Sequence, residues 1–264
     1  MSKIFINEDG NPVYQGDTFQ VILNRYSDPE RKHLARNAAI YLGKKDRGNI
    51  RRPLSIIRKR HALQIYRGEM AEFEFVDVSK EVYDHIITYS TANMRAAGGN
   101  RALVSDDFTM PSDKMIDEWR VRHSIELSMA EYKSLLKQGE TPQVARAAMP
   151  ISAKMNNFVY QFNFLTLGEA TFKQRLWEMG AQGNTVKVIQ AMYELCSYMD
   201  KDLWDTFYKY MGTPAIEWNI AGDRLEKMTM HELVKSLQSN SMDLSQRPAK
   251  DVLRSLFGKQ KSMW

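Results

Sequence analysis

Four aromatic residues, Phe158, Tyr160, Phe162 and Phe164, stand at every second position and alternate with Val159, Gln161 and Asn163. A period of two puts all four rings on one side of an extended strand, and that side must be buried against a core. The flanks are nearly as constrained. Upstream, Thr141 is a good helix N-cap and Pro142 occupies the first helical position, where its missing N–H costs nothing. A short helix is predicted over Gln143 to Met149, with Val144 and Ala148 on its apolar face, Arg146 off that face and Pro150 ending it. Downstream, Gly168 reads as the break that ends the strand, and a helical run follows with Arg175 near its end. The stretch from Gly139 to Arg175 therefore offers two arginines on opposite sides of an aromatic strand. On spacing alone they read as solvated surface charges, as most arginines are.

The rest of the chain supplies enough apolar residues to surround such a strand. Of 264 residues 43% are hydrophobic and 26% charged, which suits one sizeable core, or one domain with an appendage. No apolar run approaches the ~18 residues of a membrane span, and the opening MSKIFINEDG lacks the apolar core of a signal peptide. The single cysteine, Cys196, excludes an intramolecular disulfide and suits a reducing compartment, so a cytoplasmic location is expected. His33, His61, His85, His123 and His231 show no metal-ligand spacing and there is no cysteine cluster, so no metal site is expected. The net charge of +5 favours anionic partners such as nucleotides, folates or nucleic acid.

Along the chain, TFQVILN (residues 18 to 24) reads as a strand. Ser27-Asp28-Pro29-Glu30 reads as a helix start, with Leu34, Ala38 and Tyr41 on the buried face and Gly43 at the end. Residues 44 to 61 carry nine basic side chains, counting His61, against a single Asp46. They form a solvated face or an anion site for a phosphate or a polyglutamyl tail. Nucleic acid is a less favoured ligand, because no reading motif accompanies the cluster. MAEFEFVDV (70 to 78) is a half-buried strand, and Ser79 is predicted to cap a helix with Val82, Tyr83, Ile86 and Ile87 in register. A long helix is predicted from near Ser112, buried along Met115, Ile116, Trp119, Ile125, Met129, Tyr132 and Leu136 and closed by Gly139; His123 is placed on its surface. Helices are also predicted over 184 to 199 and from Asp200 to Met211. The tail contains a capping box, Thr229 with Glu232, and a last helix ended by Gly258.

The run GETPQVARAAMP, the aromatic strand, the helix with its terminal arginine and Ala181-Gln182 together resemble the C-terminal half of flavin-dependent thymidylate synthases. The Ala-Arg of that family falls on Ala145-Arg146, its following proline on Pro150, its strand asparagine near Asn163 and its helix arginine on Arg175. The likeness extends over roughly residues 18 to 212. The family's signature reads Arg-His-Arg, two residues, Ser, one residue, Asn-Glu, one residue, Ser, one residue, Arg-Tyr. This chain departs from it. The triplet falls on Thr88-Tyr89-Ser90 or Tyr89-Ser90-Thr91, the Asn-Glu on Ala96-Ala97 and the second Ser on Gly99; Arg101 alone survives cleanly.

The resemblance implies an α+β fold with an antiparallel sheet and long packed helices. It implies a catalytic domain over 1–214, a helical C-terminal extension over 215–264, and assembly as a homotetramer with sites shared between subunits. It further implies a one-carbon transferase that methylates C5 of dUMP, with FAD as cofactor and methylenetetrahydrofolate and NADPH as co-substrates. Arg101, Arg146 and Arg175 fall at its substrate-nucleotide positions, with His85 close to a polar substrate-side position, and Tyr89, Ser90 and Asn163 fall at cofactor positions. In the family the triplet helps hold the flavin diphosphate, a task for charged donors at ~1.5–3 kcal/mol each rather than neutral hydroxyls at ~1 kcal/mol. The altered segment beside intact nucleotide arginines raises two alternatives: the same fold with hydroxymethylation or dCMP as substrate, and a non-catalytic relative that binds nucleotides or nucleic acid. Cysteine-dependent attack on uracil C6 would need a low-pKa thiolate, and Cys196 lies on a predicted helix away from the three arginines.

Overall fold

The structure, a computed structural model, describes residues 3–88, 94–97, 107–178, 180–181, 183–239 and 247–259. Three short strands open the chain: β1 (Ile4–Ile6), β2 (Pro12–Gln15) and β3 (Gln20–Tyr26). Helices α1 (Lys32–Tyr41) and α2 (Arg52–Lys59) follow, then β4 (Met70–Val76), α3 (Lys80–Ile86), the exposed strand β5 (Met94–Ala97) and the long α4 (Glu118–Lys137). A single turn, α5 (Pro142–Ala145), leads to β6 (Phe158–Asn163). Helix α6 (Phe164–Thr166) widens into π turns at Leu167–Thr171 and Lys173–Trp177. The chain ends in α7 (Gly183–Met199), α8 (Lys201–Met211), α9 (Thr213–Leu225), α10 (Met230–Gln238) and α11 (Ala249–Phe257).

The six strands form one antiparallel sheet in the order β1-β2-β3-β4-β6-β5, so the architecture is the expected α+β one. Register explains why one face is apolar. Val21 pairs with Phe75 and Leu23 with Phe73; Phe73 in turn faces Tyr160 and Phe75 faces Phe158. These side chains are buried, and the Phe75 and Phe158 rings stack at 4.7 Å. The opposite face is polar: Gln161 donates to Glu72 across the same ladder at 3.1 Å. Helix α7 covers the apolar face, burying Val188, Ile189, Met192, Leu195 and Cys196. The tail docks through α11, where Arg224 on α9 donates to the Phe257 carbonyl at 2.6 Å and Val252 is buried. Thr229 and Glu232 form the expected capping box on α10.

Several expectations are corrected. Strands β1 and β2, the helix α9 and the helical form of 52–59 were not anticipated. The β6 strand ends at Asn163, not at Gly168; Phe164 already begins a helix, because the Asn163 Oδ1 accepts the Thr166 N–H at 2.9 Å. Gly168 lies inside that helix, where a Cβ would stand 2.6 Å from the Phe207 ring. Helix α1 begins at Lys32 because the Asp28 carboxylate accepts the Lys32 and Leu34 N–H groups at 2.8 and 2.9 Å, and Tyr41 is exposed. Ser79 holds the N-cap position of α3 without capping through its side chain; the Lys80 and Glu81 N–H groups donate to Ala153 and Ile151 carbonyls instead. Helix α4 begins at Glu118, capped by Asp117, and only Met129 and Tyr132 on it are buried. Ile116 and Trp119 stand in solvent, the latter stacked on the exposed His123. In α5 the buried residue is Ala145, while Val144 is exposed.

Two expected outcomes follow from the packing. The Phe207 ring is locked between Tyr66 and Trp204 and has no room to retreat. Gly168→Ala should therefore lower the unfolding free energy by about 1–3 kcal/mol despite alanine's better helix propensity; urea denaturation with an unchanged or higher midpoint would contradict this. Asp200, which caps α8, is buried beside Arg31, whose Nε lies 3.2 Å from Oδ2 without its N–H aligned on that oxygen. Burial dominates and pushes the Asp200 carboxyl up to about 6, against the Leu203 N–H and Arg31, which pull it down. Because the folded value lies above the unfolded one, Asp200 contributes stability below about pH 4, and this is lost as pH rises through 6. Melting curves of the wild type should fall relative to Asp200→Asn between those pH values. Parallel curves would refute the assignment.

Candidate functional site

Four loops meet at one end of the sheet, and backbone hydrogen bonds hold them together. The segment after α5 runs alongside the start of α3: Lys80 and Glu81 donate to Ala153 and Ile151 at 2.9 and 3.0 Å. The segment before α4 joins them. Thr109 donates to Ser152 at 2.9 Å, Lys154 donates to Asp107 at 3.0 Å, and the Lys154 ammonium pairs with the Asp107 carboxylate at 2.7 Å. That hydrogen bond, aided by the Phe108 N–H, holds the Asp107 carboxyl below its usual range. The start of α7 is the fourth. The Gly183 N–H donates to Asp113 at 3.3 Å and the Asn184 amide to the Met110 carbonyl at 2.8 Å. Gly183 passes close to Ser112: a Cβ there would displace the Ser112 hydroxyl and stand 3.3 Å from the Ser112 carbonyl carbon.

Three of the expected nucleotide residues are described: Arg146 shortly before the 151–154 segment, His85 near the end of α3, and Arg175 on the helix that follows β6. Arg146 occupies a 3-10 turn, Arg146–Ala148, anchored by the Thr141 cap and by buried Ala145. Its side chain is half-buried and makes no hydrogen bond or ion pair among the described residues. Arg175 lies in the second π turn and donates to the Gly180 carbonyl at 3.0 Å. A π turn adds a residue to the helical circuit and re-aims the side chains beyond it, a geometry common at functional sites. His85 closes α3, with Nδ1 2.7 Å from Oγ1 of fully buried Thr185. Arg175 and His85 thus grip one short stretch at Gly180 and Thr185, two points that an extended chain separates by at most ~18 Å. Glu81 lies one turn before His85, its carboxyl raised by burial, with His85 opposing and Asp113 adding to the rise.

Thr185, Glu81 and Asp113 were missed by sequence reasoning. Asn184-Thr185 after Gly183 was a readable helix start, but its pairing with a histidine a hundred positions away was not. Arg101, Tyr89 and Ser90 lie outside the described residues. Asn163 is buried, its oxygen taken up by the cap of α6. Cys196 is fully buried in α7, and burial pushes its thiol well up, which removes it as a nucleophile. The cavity where α3, the 107–113 segment and α7 meet measures about 10 Å³, far too small for a nucleotide. Among the signature positions that are described, Thr88 donates its hydroxyl to the His85 carbonyl at 2.7 Å, and Ala96-Ala97 present methyl groups on the exposed strand β5. These residues do not supply a diphosphate site.

The fold is thus one antiparallel sheet with helices packed on it, and the expected nucleotide residues lie on several separate elements. The Thy1 family, described as thymidylate synthase complementing protein, matches residues 24–199, and the chain belongs to this family, an enzyme class of one-carbon transfer to pyrimidine nucleotides that is flavin-dependent in general. Among solved structures it is similar to a UMP/dUMP methylase, PolB, from Streptomyces cacaoi. The form bound with 5-Br dUMP aligns with a TM-score of 0.56 at 15% identity over 73% of this chain and 96% of that one. The form bound with 5-Br UMP gives 0.57 at 15% identity over 75% and 96%. At that identity the likeness establishes the fold. No curated protein sequence matches the chain.

If the Lys154–Asp107 pair holds the loops in place, Lys154→Met should raise the hydrogen-exchange rates of the Thr109 and Lys154 amides about two- to fivefold, leaving Phe73 in the sheet unchanged. Unaltered protection at Thr109 would remove the pair from the assembly of the site.

Proposed function

We propose that the protein transfers a one-carbon unit to C5 of dUMP in pyrimidine deoxynucleotide biosynthesis, as a thymidylate synthase-type methyltransferase. The observation that carries this reading is Arg146: a half-buried residue whose guanidinium has no partner among the described residues, on a loop that leads into the segment bonded to the start of α3, the helix that bears His85. Its donors are open to a ligand, and its planar fork suits a phosphate or a pyrimidine carbonyl. Arg101 and Arg175 join it on the nucleotide, and His85, steered by Thr185, faces the base. The UMP/dUMP methylase neighbours support a pyrimidine ligand.

The family's dependence on flavin supports FAD, with methylenetetrahydrofolate and NADPH as co-substrates. Tyr89 and Ser90 fall at its contact positions in this reading, whereas buried Asn163 serves the cap of α6. Residues 1–214 form the catalytic domain and 215–264 an extension. The small size of the junction cavity and the solvent-facing Ile116, Trp119 and Leu127 around α4 favour a homotetramer whose sites are completed by neighbouring subunits. Among the described residues no helix is long and apolar enough to cross a membrane, in keeping with a cytoplasmic enzyme.

A second reading keeps the site and changes the chemistry to hydroxymethylation, or the substrate to dCMP. The Ala96-Ala97 pair in the altered signature favours it. Mass spectrometry of the nucleotide after incubation with dUMP or dCMP, with and without folate and reductant, separates the two: a gain of CH2 marks methylation and CH2O hydroxymethylation. Arg146→Ala should weaken dUMP binding at least tenfold while shifting stability by no more than about 0.5 kcal/mol. Wild-type affinity in that variant, by titration calorimetry, would refute the site.

A further inference from the structure

The basic segment and the C-terminal helices, far apart in sequence, form a single groove on the flank of the molecule. One depression of about 490 Å³ runs between α2 and α8 past Arg51 and Arg58. A second of about 310 Å³ continues it past Arg60 to Trp218 on α9 and Lys250 on α11. Arg58, Lys209 and Tyr210 line both. The acidic side chains nearby are already engaged: Asp202 with Arg31 at 3.2 Å, Asp205 with Lys201, and Glu217 and Asp251 with Arg254 at 3.3 and 3.6 Å. Arg51, Arg58, Arg60, Lys209 and Lys250 have no carboxylate partner among the described residues. Instead Lys209 lies 5.6 Å from the centre of the Tyr210 ring and Lys250 lies 5.0 Å from that of Trp218. The N-terminal end of α9, at Pro214 and Ala215, opens into the second depression and adds the positive end of its dipole.

We propose that this groove binds the sugar–phosphate chain of single-stranded nucleic acid, with a base against Trp218. The cations are spread along two joined depressions, which suits a ligand bearing several anionic groups in a line rather than one phosphate. Three of the five are arginines, whose forks match phosphate oxygens. Trp218 and Tyr210 offer ring faces, which an acidic peptide does not need and a base does. The groove is concave and its helices are packed against one another, so it has no free helix to enter a duplex major groove. This inference does not rest on the enzymatic reading, since the groove lies on other elements than the loops of the nucleotide site.

The test is fluorescence anisotropy of a labelled oligothymidylate of about 12 nucleotides with the full-length protein, from about 50 to 200 mM salt. Five phosphate contacts give an expected slope of log K against log salt near −3.5 at about −0.7 per contact. Arg58→Glu with Arg60→Glu should weaken binding at least tenfold. Should that pair fail to fold, Arg51→Glu with Lys209→Glu is expected to do the same. Tryptophan emission should be quenched on binding, and Trp218→Phe should abolish the quench. Absence of binding at the lowest salt, equal affinity in a folded double variant, equal competition by tripolyphosphate or polyglutamate, or equal affinity for a hairpin duplex would each overturn the proposal.

Discussion

The contact between the Phe207 ring and the bare backbone of Gly168 is where sheet and helices are joined. The aromatic row of β6 continues into Phe164 and Phe172, which meet Trp204 at 5.5 and 5.3 Å, and Trp204 stacks on Phe207. For α8 to lie that close, the helix leaving the sheet must present no side chain at the crossing, and Gly168 meets that requirement. The same helix runs in π turns on both sides of Phe172. Wide turns cost helical regularity, and here the fully buried rings of Phe172 and Phe207 compensate. Arg175 follows on this same helix, so its placement and its bond to the Gly180 carbonyl depend on an aromatic contact remote from it.

A second dependency links the loops. The segment that follows Arg146 and the start of α3, which bears His85, hold through one another's backbone groups, and the Lys154–Asp107 pair adds the 107–109 stretch. Loops positioned by a rigid sheet are the usual carriers of binding chemistry. Here the rigidity comes from the β4–β6 ladder, whose continuous register from Met70 opposite Asn163 to Phe75 opposite Phe158 leaves no slack at either end.

What could be read from the sequence was local. Phe73 and Phe75 between glutamates, the β6 alternation and the Thr229–Glu232 box each state their structure within a few residues, and each was found. What could not be read depended on partners distant in the chain. Gly168 looked like a strand break because its reason, Phe207, lies thirty-nine positions on. Helix α4 was given too long a buried side because Ile116 and Trp119 are apolar without having a neighbour in the protomer. In the candidate site, the arginine positions followed from the resemblance, whereas the Thr185 contact to His85 and the Gly180 contact to Arg175 needed the fold.

The contrast between Arg146 and Ala96-Ala97 bears on how function is read in a divergent family member. Alanines on an exposed edge strand carry no desolvation cost, so that segment changes without penalty to folding. Arg146 is a different case: its guanidinium has no protein partner among the described residues, and its donors remain open to solvent or to a ligand. The fold gives Arg146 no partner among those residues, and the proposed reading supplies one: an oxyanion of the kind a nucleotide presents.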